Sequence, residues 1–306
     1  MATVTLAESA KLSQNLLVQG IIENVITVNR FFEVFPFREI EGNALAYNRE
    51  NALGDVQHLG VGGTITAKAA ATFTQITASL TKILGDAEVD YLLQSTRSNI
   101  NDQKAVQIAS KAKSVARKYQ DTLINGDGTG DTFPGLLSLV ASGQKVTAGA
   151  NGAALAFGDL DALLDKVTDK DGQVDFIMMH RRTLRSYWAL VRALGGATLA
   201  ESVNLPSGNQ VPGYRGVPIF ANDWIPITQT IGTSSAVCTT VFAGTFDDGS
   251  MLHGLAGITA AGDAGIRVQE IGPMEDFDSD LTRIKFYCGL ANFSELGLAA
   301  IVGVNN

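Results

Sequence analysis

The sequence predicts an α+β protein that combines one long helix with a projecting β-hairpin, and three stretches of the chain lead to this prediction. Residues 73–84 alternate between apolar and polar side chains with a period of two, which is typical of a β-strand. Residues 102–123 carry a continuous apolar stripe at helical spacing. Residues 160–242 mix short helical and strand-like patterns, which predicts a small α/β domain.

The predicted hairpin joins an extended stretch, residues 44–50, to the alternating strand over residues 73–84. Its tip is rich in small residues and carries few large apolar groups. The glycines and the lysine of this outer part are Gly60, Gly62, Gly63 and Lys68. Because such a tip would gain little by folding back on its own domain, we expect a projecting arm that contacts another subunit.

The N-terminal region is the second apolar feature of the chain. Apolar side chains recur near helical spacing in the first 27 residues, which predicts a helix. Four phenylalanines follow: Phe31, Phe32, Phe35 and Phe37. The cluster is too apolar for a free tail, and two interpretations fit it: packing on the core of its own subunit, or docking on a neighbouring subunit.

The helix over residues 102–123 has a cap at its start and a glycine-rich turn at its end. Asn101 or Asp102 can cap the first turn, and the helix is stopped by Gly126, Asp127 and Gly128. Three lysines repeat every seven residues on one face of the helix: Lys104, Lys111 and Lys118. Two interpretations of this stripe stay open, a solvated face and a face turned toward packed DNA that attracts it weakly and without sequence specificity.

Composition limits the classes of function. The 306 residues are 45% hydrophobic and carry a net charge of -8, which argues against a free-standing nucleic-acid-binding protein. Two cysteines, Cys238 and Cys288, lie in apolar stretches and are predicted to be buried, reduced thiols. The first residues do not have the pattern of a signal peptide, and the apolar run over residues 296–304 is too short to span a bilayer, so no membrane contact is expected.

The sequence does not contain a set of residues typical of an active site. The three histidines, His58, His180 and His253, lie far apart without metal-ligand spacing, and His180 at a strand end is expected to be structural. The glycines of the hairpin tip are not followed by the Lys-Ser or Lys-Thr pair of a phosphate-binding loop. Acidic stretches at residues 127–131, 169–171 and 275–280 do not have the spacing of a calcium loop. No catalytic residue, metal or cofactor is therefore predicted.

The order of the elements resembles the major capsid proteins of tailed phages of the Hong Kong 97 phage type. The most specific segment is INGDGTGDTFPGLLS, in which a helix ends in a Gly-Asp-Gly turn that leads to Pro-Gly-Leu-Leu. The segments LAYNRE, LDALLDKV, VDFIMMHRRTLRSYWAL, YRGVPIFANDWIP and FAGTFDDGSMLHG are also similar to segments of that family. Together they span nearly the whole chain.

This resemblance implies a layout of four parts. Residues 1–41 would form an N-terminal arm, and residues 42–84 an extended β-hairpin loop that reaches over a neighbouring subunit. Residues 85–148 and 262–306 would form a peripheral domain with residues 102–123 as its spine helix. Residues 149–261 would form an axial α/β domain whose loops meet at symmetry axes.

The resemblance also implies a function, with alternatives. The expected function is a major capsid protein that assembles as hexamers and pentamers, in a bacterial cytoplasm, into the icosahedral shell of a virion around a double-stranded DNA genome. The expected partners are further copies, a portal, packaged DNA bound weakly, a separate scaffolding protein or none, and in some shells a decoration protein. A lysine cross-link through Lys68 is not expected. The alternatives are an encapsulin shell, which encloses enzymes instead of a genome, and a small α/β enzyme built on residues 160–242.

Overall fold

The computed structural model describes residues 29–91, 103–169, 172–193, 202–235, 237–262, 265–275 and 277–305. The helices, in chain order, are α1 (Gln103–Asn125), α2 (Leu136–Leu139), α3 (Phe157–Thr168) and α4 (Arg181–Ala193). The strands are β1 (Phe37–Ile40), β2 (Ala44–Ala52), β3 (Thr72–Ser79), β4 (Thr81–Asp90), β5 (Lys145–Thr147), β6 (Phe176–Met179), β7 (Ser202–Asn204), β8 (Gln210–Tyr214), β9 (Val217–Ala221), β10 (Cys238–Gly244), β11 (Leu255–Ala260), β12 (Ile266–Pro273), β13 (Ser279–Asn292) and β14 (Leu298–Asn305). The helix predicted in the first 27 residues and the caps at Asn101 and Asp102 lie outside the described residues.

The predicted long helix is confirmed as α1, and it packs on a five-stranded sheet. The side chains of its apolar stripe are buried against β4 and β13: Ile108, Ala112, Val115, Tyr119 and Leu123. Strand β13 organises this sheet. It pairs with β4 over Ser279–Cys288, with β12 over Asp280–Phe286 and with β11 over Cys288–Asn292, and β1 adds a parallel edge to β11.

A second sheet has seven strands in the order β5-β14-β10-β6-β9-β8-β7. Its central strand β6 is buried on both faces, which explains why its four residues are all apolar. Ile177 and Met179 face a core that α3 and α4 cover, whereas Phe176 and Met178 face the core shared with α1. The core shared with α1 contains residues of both sheets. The two sheets are therefore packed into one continuous structure.

Two strands belong to a different sheet from the one that the predicted layout implies. Strand β11 lies within the predicted axial range but pairs with β13 of the five-stranded sheet. Strand β14 lies within the predicted peripheral range but pairs with β10 of the seven-stranded sheet, where Leu298 and Ile301 are completely buried. The chain therefore crosses between the sheets twice near its C-terminal end, which strand-like periodicity alone does not reveal.

The phenylalanine cluster packs on the core of its own subunit, the first of its two sequence interpretations. Phe31 is fully buried, and its ring centroid lies 5.3 Å from that of Phe176 and 5.7 Å from that of Phe220. Phe32 contacts Tyr119 of α1, with ring centroids 5.9 Å apart. Of the four, Phe37 alone stays partly exposed. The cluster thus connects the long helix to the seven-stranded sheet.

Two further expectations concern the cysteines and the membrane. Cys238 and Cys288 are both free and fully buried, as predicted. Burial raises the pKa of the Cys288 thiol, which keeps it protonated and unreactive. Among the described helices, none is both long and apolar enough to cross a membrane.

Candidate subunit interface

Strands β2 and β3, with the connecting residues 53–71, form a two-stranded antiparallel ribbon that we call the ribbon. Its register runs from Ala44 opposite Ser79 to Ala52 opposite Thr72, with a shift near the outer end. The ribbon pairs with neither of the larger sheets. Because an isolated pair of strands is marginal in water, the ribbon depends on contacts beyond its own hydrogen bonds.

The inner half of the ribbon is fixed to the end of β13. The Tyr47 hydroxyl donates to the carbonyl oxygen of Asn292 at 2.7 Å, and the Arg49 guanidinium donates to the same carbonyl at 2.7 Å and to that of Phe293 at 3.2 Å. The Tyr47 and Phe293 rings meet edge to face, 5.1 Å apart. Burial raises the pKa of Tyr47, so its hydroxyl remains a donor. The base of the ribbon is therefore held in a defined direction.

The outer half of the ribbon, residues 53–73, exposes six large apolar side chains, whereas the sequence analysis expected few large apolar groups there. They are Leu53, Val56, Leu59, Val61, Ile65 and Phe73. Leu53 is 78% exposed and Val56 is 93% exposed, so the described part of the subunit covers neither. Soluble proteins rarely leave such a group uncovered unless another molecule binds there.

This outer half has internal order. The Gln57 side-chain oxygen accepts hydrogen bonds from the backbone N–H of Thr66 at 3.2 Å and of Ala67 at 2.8 Å. A tight turn in which the Gly63 N–H donates to the Gly60 carbonyl at 3.0 Å closes the end, and Gly62 there has a φ of 81°. Lys68 is exposed on the returning segment. The three predicted tip glycines thus lie at the far end, whereas Lys68 lies nearer the base, next to Ala69, whose carbonyl accepts from the Asp55 N–H. Their contact with another copy stays a prediction.

The predicted turn after α1 is a rigid connection. The Asp127 carboxylate accepts hydrogen bonds from the Thr129 hydroxyl at 2.6 Å, the Thr132 hydroxyl at 2.7 Å and the Thr129 N–H at 3.1 Å. These bonds, first of all that from the Thr129 side chain, hold the pKa of Asp127 well below its usual range. The carboxylate therefore orders its own turn, and no cluster of three or more metal-ligating side chains occurs among the described residues.

Two glycines allow the chain to approach itself closely at this turn. The Gly135 N–H donates to the Gly126 carbonyl at 2.8 Å, so the chain before and after the turn runs backbone to backbone. A Cβ atom at Gly126 would lie 2.1 Å from the Phe133 carbonyl oxygen, and one at Gly135 would lie 2.6 Å from that of Thr122. Only glycine permits this approach, which also positions the fully buried ring of Phe133 against Tyr119.

The lysine stripe of α1 lies beside carboxylates of the same subunit. Lys104 Nζ contacts Asp280 at 2.7 Å and Glu270 at 3.0 Å, and Lys118 Nζ contacts Asp121 at 3.2 Å. Lys111 is close enough to Asp86 to help lower the pKa of that carboxyl, although the larger cause is the hydrogen bond from Arg283. These contacts support an ion-paired helix face, and the proposed attraction to DNA stays a prediction.

His180 has a structural environment. Its Nδ1 atom accepts the N–H of Arg182 at 3.0 Å, so the side chain caps the start of α4. Burial is the largest cause of a lowered pKa, and the imidazole therefore remains neutral and able to accept this bond. His253 lies elsewhere, 3.7 Å from Asp248, and His58 is on the outer half of the ribbon.

One pair of exposed apolar residues is absent from the sequence predictions. Met251 is 46% exposed and Leu252 is 77% exposed, on a loop between β10 and β11. The sequence signal was the segment DDGSMLHG, in which two apolar residues stand inside an acidic, glycine-containing loop. Apolar residues at such a position seldom have a core to enter.

Comparison with known proteins decides the family. Residues 97–277, more than half of the chain, match the family model of the type 2A encapsulin shell protein SrpI-like. The chain belongs to this family. Encapsulin shell proteins are structural, so the prediction that the chain is not an enzyme is confirmed, and the alternative of a small α/β enzyme is wrong.

Solved structures support the same fold. The holo-SrpI encapsulin complex from Synechococcus elongatus PCC 7942 is 20% identical, with a TM-score of 0.68 over 90% of this chain and 87% of that chain. The capsid of a native GTA particle is 16% identical, with a TM-score of 0.63 over 89% of each chain. A structure of phage G gp27 major capsid proteins and gp26 decoration proteins matches with 13% identity and a TM-score of 0.57 over 88% of each chain. No curated protein sequence matches.

These similarities confirm the predicted Hong Kong 97 phage-type capsid fold. They show a capsid-type shell protein, and the family favours the encapsulin alternative over the phage head that the sequence resemblance put first.

Proposed function

We propose that this encapsulin-family chain assembles with copies of itself, as pentamers and hexamers, into a closed shell that encloses protein cargo. The exposed apolar outer half of the ribbon carries the proposal. Its six large apolar side chains are each at least 45% exposed in the part of the subunit that the structure describes, while its base is fixed by Tyr47 and Arg49. A rigid, apolar projection of this kind fits a surface on a neighbouring copy.

The energetics favour assembly over a free subunit. Burying one large aliphatic or aromatic side chain contributes about 1.5–3 kcal/mol. One ribbon with six such groups would stabilise a contact by several kcal/mol after the loss of freedom on association is subtracted. Each copy would give one ribbon and receive another, so that these contacts add around a closed lattice.

Charge supports protein cargo over a genome. The chain has a net charge of -8, and two of the three lysines for which a DNA-facing role stayed open pair with carboxylates of the same subunit. A shell built from such subunits would offer weak attraction to a polyanion. Membership of the SrpI-like family is consistent with this choice.

The four-part layout expected from the sequence is part of the proposal. Of the predicted loop, residues 42–84, the ribbon would reach over a neighbour, whereas residues 81–84 belong to β4 and pair with β13 of the same subunit. Residues 85–148 would lie at the periphery with α1 as spine, and residues 149–261 would approach the symmetry axes. The sheet pairings modify its C-terminal part. Strand β11 would belong with the periphery, and β14 would support the axial sheet.

A phage head is the second candidate, because the capsid of a GTA particle and the major capsid protein of phage G share the fold. It would add a DNA genome, a portal, a scaffolding protein and in some shells a decoration protein to the list of partners. The two candidates differ in contents, since one shell holds protein and the other holds nucleic acid.

Expression of the chain alone, followed by sedimentation and electron microscopy, tests the proposal. We expect megadalton, hollow, closed particles that a nuclease does not alter and whose absorbance spectrum is that of protein. A folded monomer that does not assemble at high concentration would exclude both shell functions. Particles isolated from the native cell that retain nuclease-resistant DNA would favour the phage head.

A further inference from the structure

The loop between β10 and β11, residues 247–254, is held by a buried ion pair. The Asp247 side chain is completely buried, and its Oδ2 atom accepts from Arg38 Nε at 2.9 Å. Its Oδ1 atom accepts from the Met251 N–H, also at 2.9 Å. Asp248 accepts the Ser250 N–H at 2.9 Å, which closes a second turn within the loop. Because these bonds fix the backbone on both sides of Gly249, the loop is preorganised.

This loop exposes an apolar pair of which one member, Met251, has an unfavourable backbone conformation. Met251 has a φ of 57°, a left-handed conformation that residues other than glycine seldom adopt. The neighbouring Leu252 is 77% exposed. Surrounding structure must impose such a backbone, and the Asp247–Met251 hydrogen bond does so here. A loop that is fixed by hydrogen bonds and still exposes Met251 and Leu252 is a preformed contact surface.

The foot of the loop adjoins the foot of the ribbon. The Phe293 N–H donates to the Gly254 carbonyl at 3.0 Å, and the Phe293 ring packs on Tyr47 of the ribbon base. The loop therefore continues the surface from which the ribbon projects. Charge also matches, because the exposed Asp248 carboxylate of the loop has a counterpart in Lys68, the one lysine of ribbon residues 53–71.

We propose that Met251 and Leu252 form the seat on which the outer half of a second copy's ribbon rests. The contact joins an apolar pair to apolar side chains such as Val56 and Val61, with Lys68 of the incoming ribbon near Asp248. The inference rests on the proposed function, since it requires ribbons that reach a neighbouring copy. It adds to that function the residues that receive the ribbon.

Disulfide trapping in assembled particles tests the seat. The two natural cysteines are fully buried, so engineered thiols report without interference. Leu252→Cys would be combined in turn with Val56→Cys, Leu59→Cys, Val61→Cys or Ile65→Cys. We expect at least one pair to give covalently linked chains after mild oxidation, seen as a ladder on non-reducing gels. Leu252→Cys with the exposed Ser138→Cys is the matched control and should give no ladder.

The outcomes separate the seat from the shell itself. Particles that assemble but cross-link at none of the four ribbon positions would overturn the seat and leave the shell function intact. A disulfide within one chain, seen as a shifted monomer, would also overturn it, because the ribbon would then rest on its own subunit. Failure of every variant and of the unmodified chain to form particles would instead count against the proposed function.

A second variant keeps the test decisive if the cysteine pairs do not assemble. Leu252→Ser removes the apolar contact, and Leu252→Met preserves its volume. We expect the serine variant to need about tenfold more protein for assembly, the change that loss of one buried leucine contact gives, while the methionine variant assembles as the natural chain does. An unchanged assembly threshold for Leu252→Ser would contradict the proposal.

Discussion

The phenylalanine cluster and the outer half of the ribbon are both apolar and lie close together in sequence, yet they end in opposite environments. Phe31 is completely buried among rings of its own subunit. Val56, only 25 residues later in the chain, is 93% exposed. The first region stabilises the subunit, and the second is available to stabilise an assembly.

The difference follows from side-chain size and local geometry. Phe31 and Phe32 lie on a short 3-10 turn (Arg30–Glu33), and Phe35 follows directly. These three rings are buried, and they pack with Phe176 and Tyr119. Five of the six large apolar groups of the outer ribbon are aliphatic and lie in the segment that connects β2 to β3, separated by small and polar residues. This ribbon pairs with no further strand among the described residues. The number of apolar residues therefore determines how much surface has to be buried. Local geometry determines whether it is buried within the same subunit or against another one.

Removal of the outer ribbon is the strongest way to break this comparison. Replacing residues 53–71 by an Asn-Gly turn joins Ala52 to Thr72, which already face each other across the ribbon. We expect particles to disappear, because the apolar projection is gone, while the subunit stays folded with an unfolding temperature changed by no more than about 4 °C. Sedimentation measures the first effect, and thermal unfolding by circular dichroism measures the second.

A control of natural length separates apolar contact from reach. Changing Val56, Val61 and Ile65 to serine keeps the ribbon but removes half of its large exposed apolar groups, and we expect assembly to be lost here too. Normal particles from either variant would show that the ribbon does not hold the shell together.

Phe31→Ala tests the opposite half of the comparison. Its ring contacts those of Phe35, Phe176, Phe220 and Phe246, so truncation leaves a cavity in the core that joins the two sheets. We expect the free energy of unfolding to fall by about 3–5 kcal/mol. Denaturant unfolding should be measured in the shortened-ribbon background, where assembly does not contribute. Phe37→Ala is the matched control, and a loss as large as that of Phe31→Ala would show that the rings do not differ as their exposure implies.

Gly126→Ala sharpens the comparison on the side of the subunit core. The added methyl group would meet the Phe133 carbonyl oxygen at 2.1 Å, so the turn must open and Phe133 must leave its place against Tyr119. We expect a loss of about 1–3 kcal/mol of stability, the usual effect of overpacking. Gly143→Ala, where a Cβ meets nothing within 4 Å, should be nearly neutral in the same denaturant measurement. Equal stability of the two variants would refute the close-approach account of the turn.

Much of the fold was accessible from sequence, because its strongest patterns are local. The apolar stripe of α1 has the helical period, so this helix followed from spacing. The one strand predicted over residues 73–84 is instead two strands: β3 ends at Ser79 in the ribbon, and β4 begins at Thr81 and pairs with β13. The sheet assignment of β11 and β14 did not follow, since strand pairing between residues far apart, such as Cys238 and Asn305, leaves no periodic trace. Periodicity thus predicts where helices and strands occur, whereas the pairing of the strands is known only from the folded structure.

The candidate interface was accessible only in part. Glycines at the tip indicated a projecting hairpin, but the number of exposed apolar groups on it was underestimated because exposure is a property of the folded ribbon. The loop with Met251 escaped notice for a related reason. Its importance comes from a positive φ and from a hydrogen bond to Asp247, and neither can be read from residue order.

Lys104 gives the smallest expected effect and extends the comparison to charged groups. Burial alone would lower the pKa of this amine, but its hydrogen bonds to Asp280 and Glu270 outweigh burial, and the pKa is raised above 10.5. A raised pKa means that the charged amine stabilises the folded state fully below pH 10.5 and loses this effect only as pH rises through the higher value. Lys104→Met should therefore cost about 1 kcal/mol, constant between pH 7 and pH 9, in denaturant unfolding of the shortened-ribbon subunit. The exposed Lys113→Met should be neutral. Particles carrying Lys104→Met that kept full subunit stability but lost nucleic acid would contradict this prediction. The lysine stripe would then face a genome and would belong, like the outer ribbon, to the groups that act in the assembly.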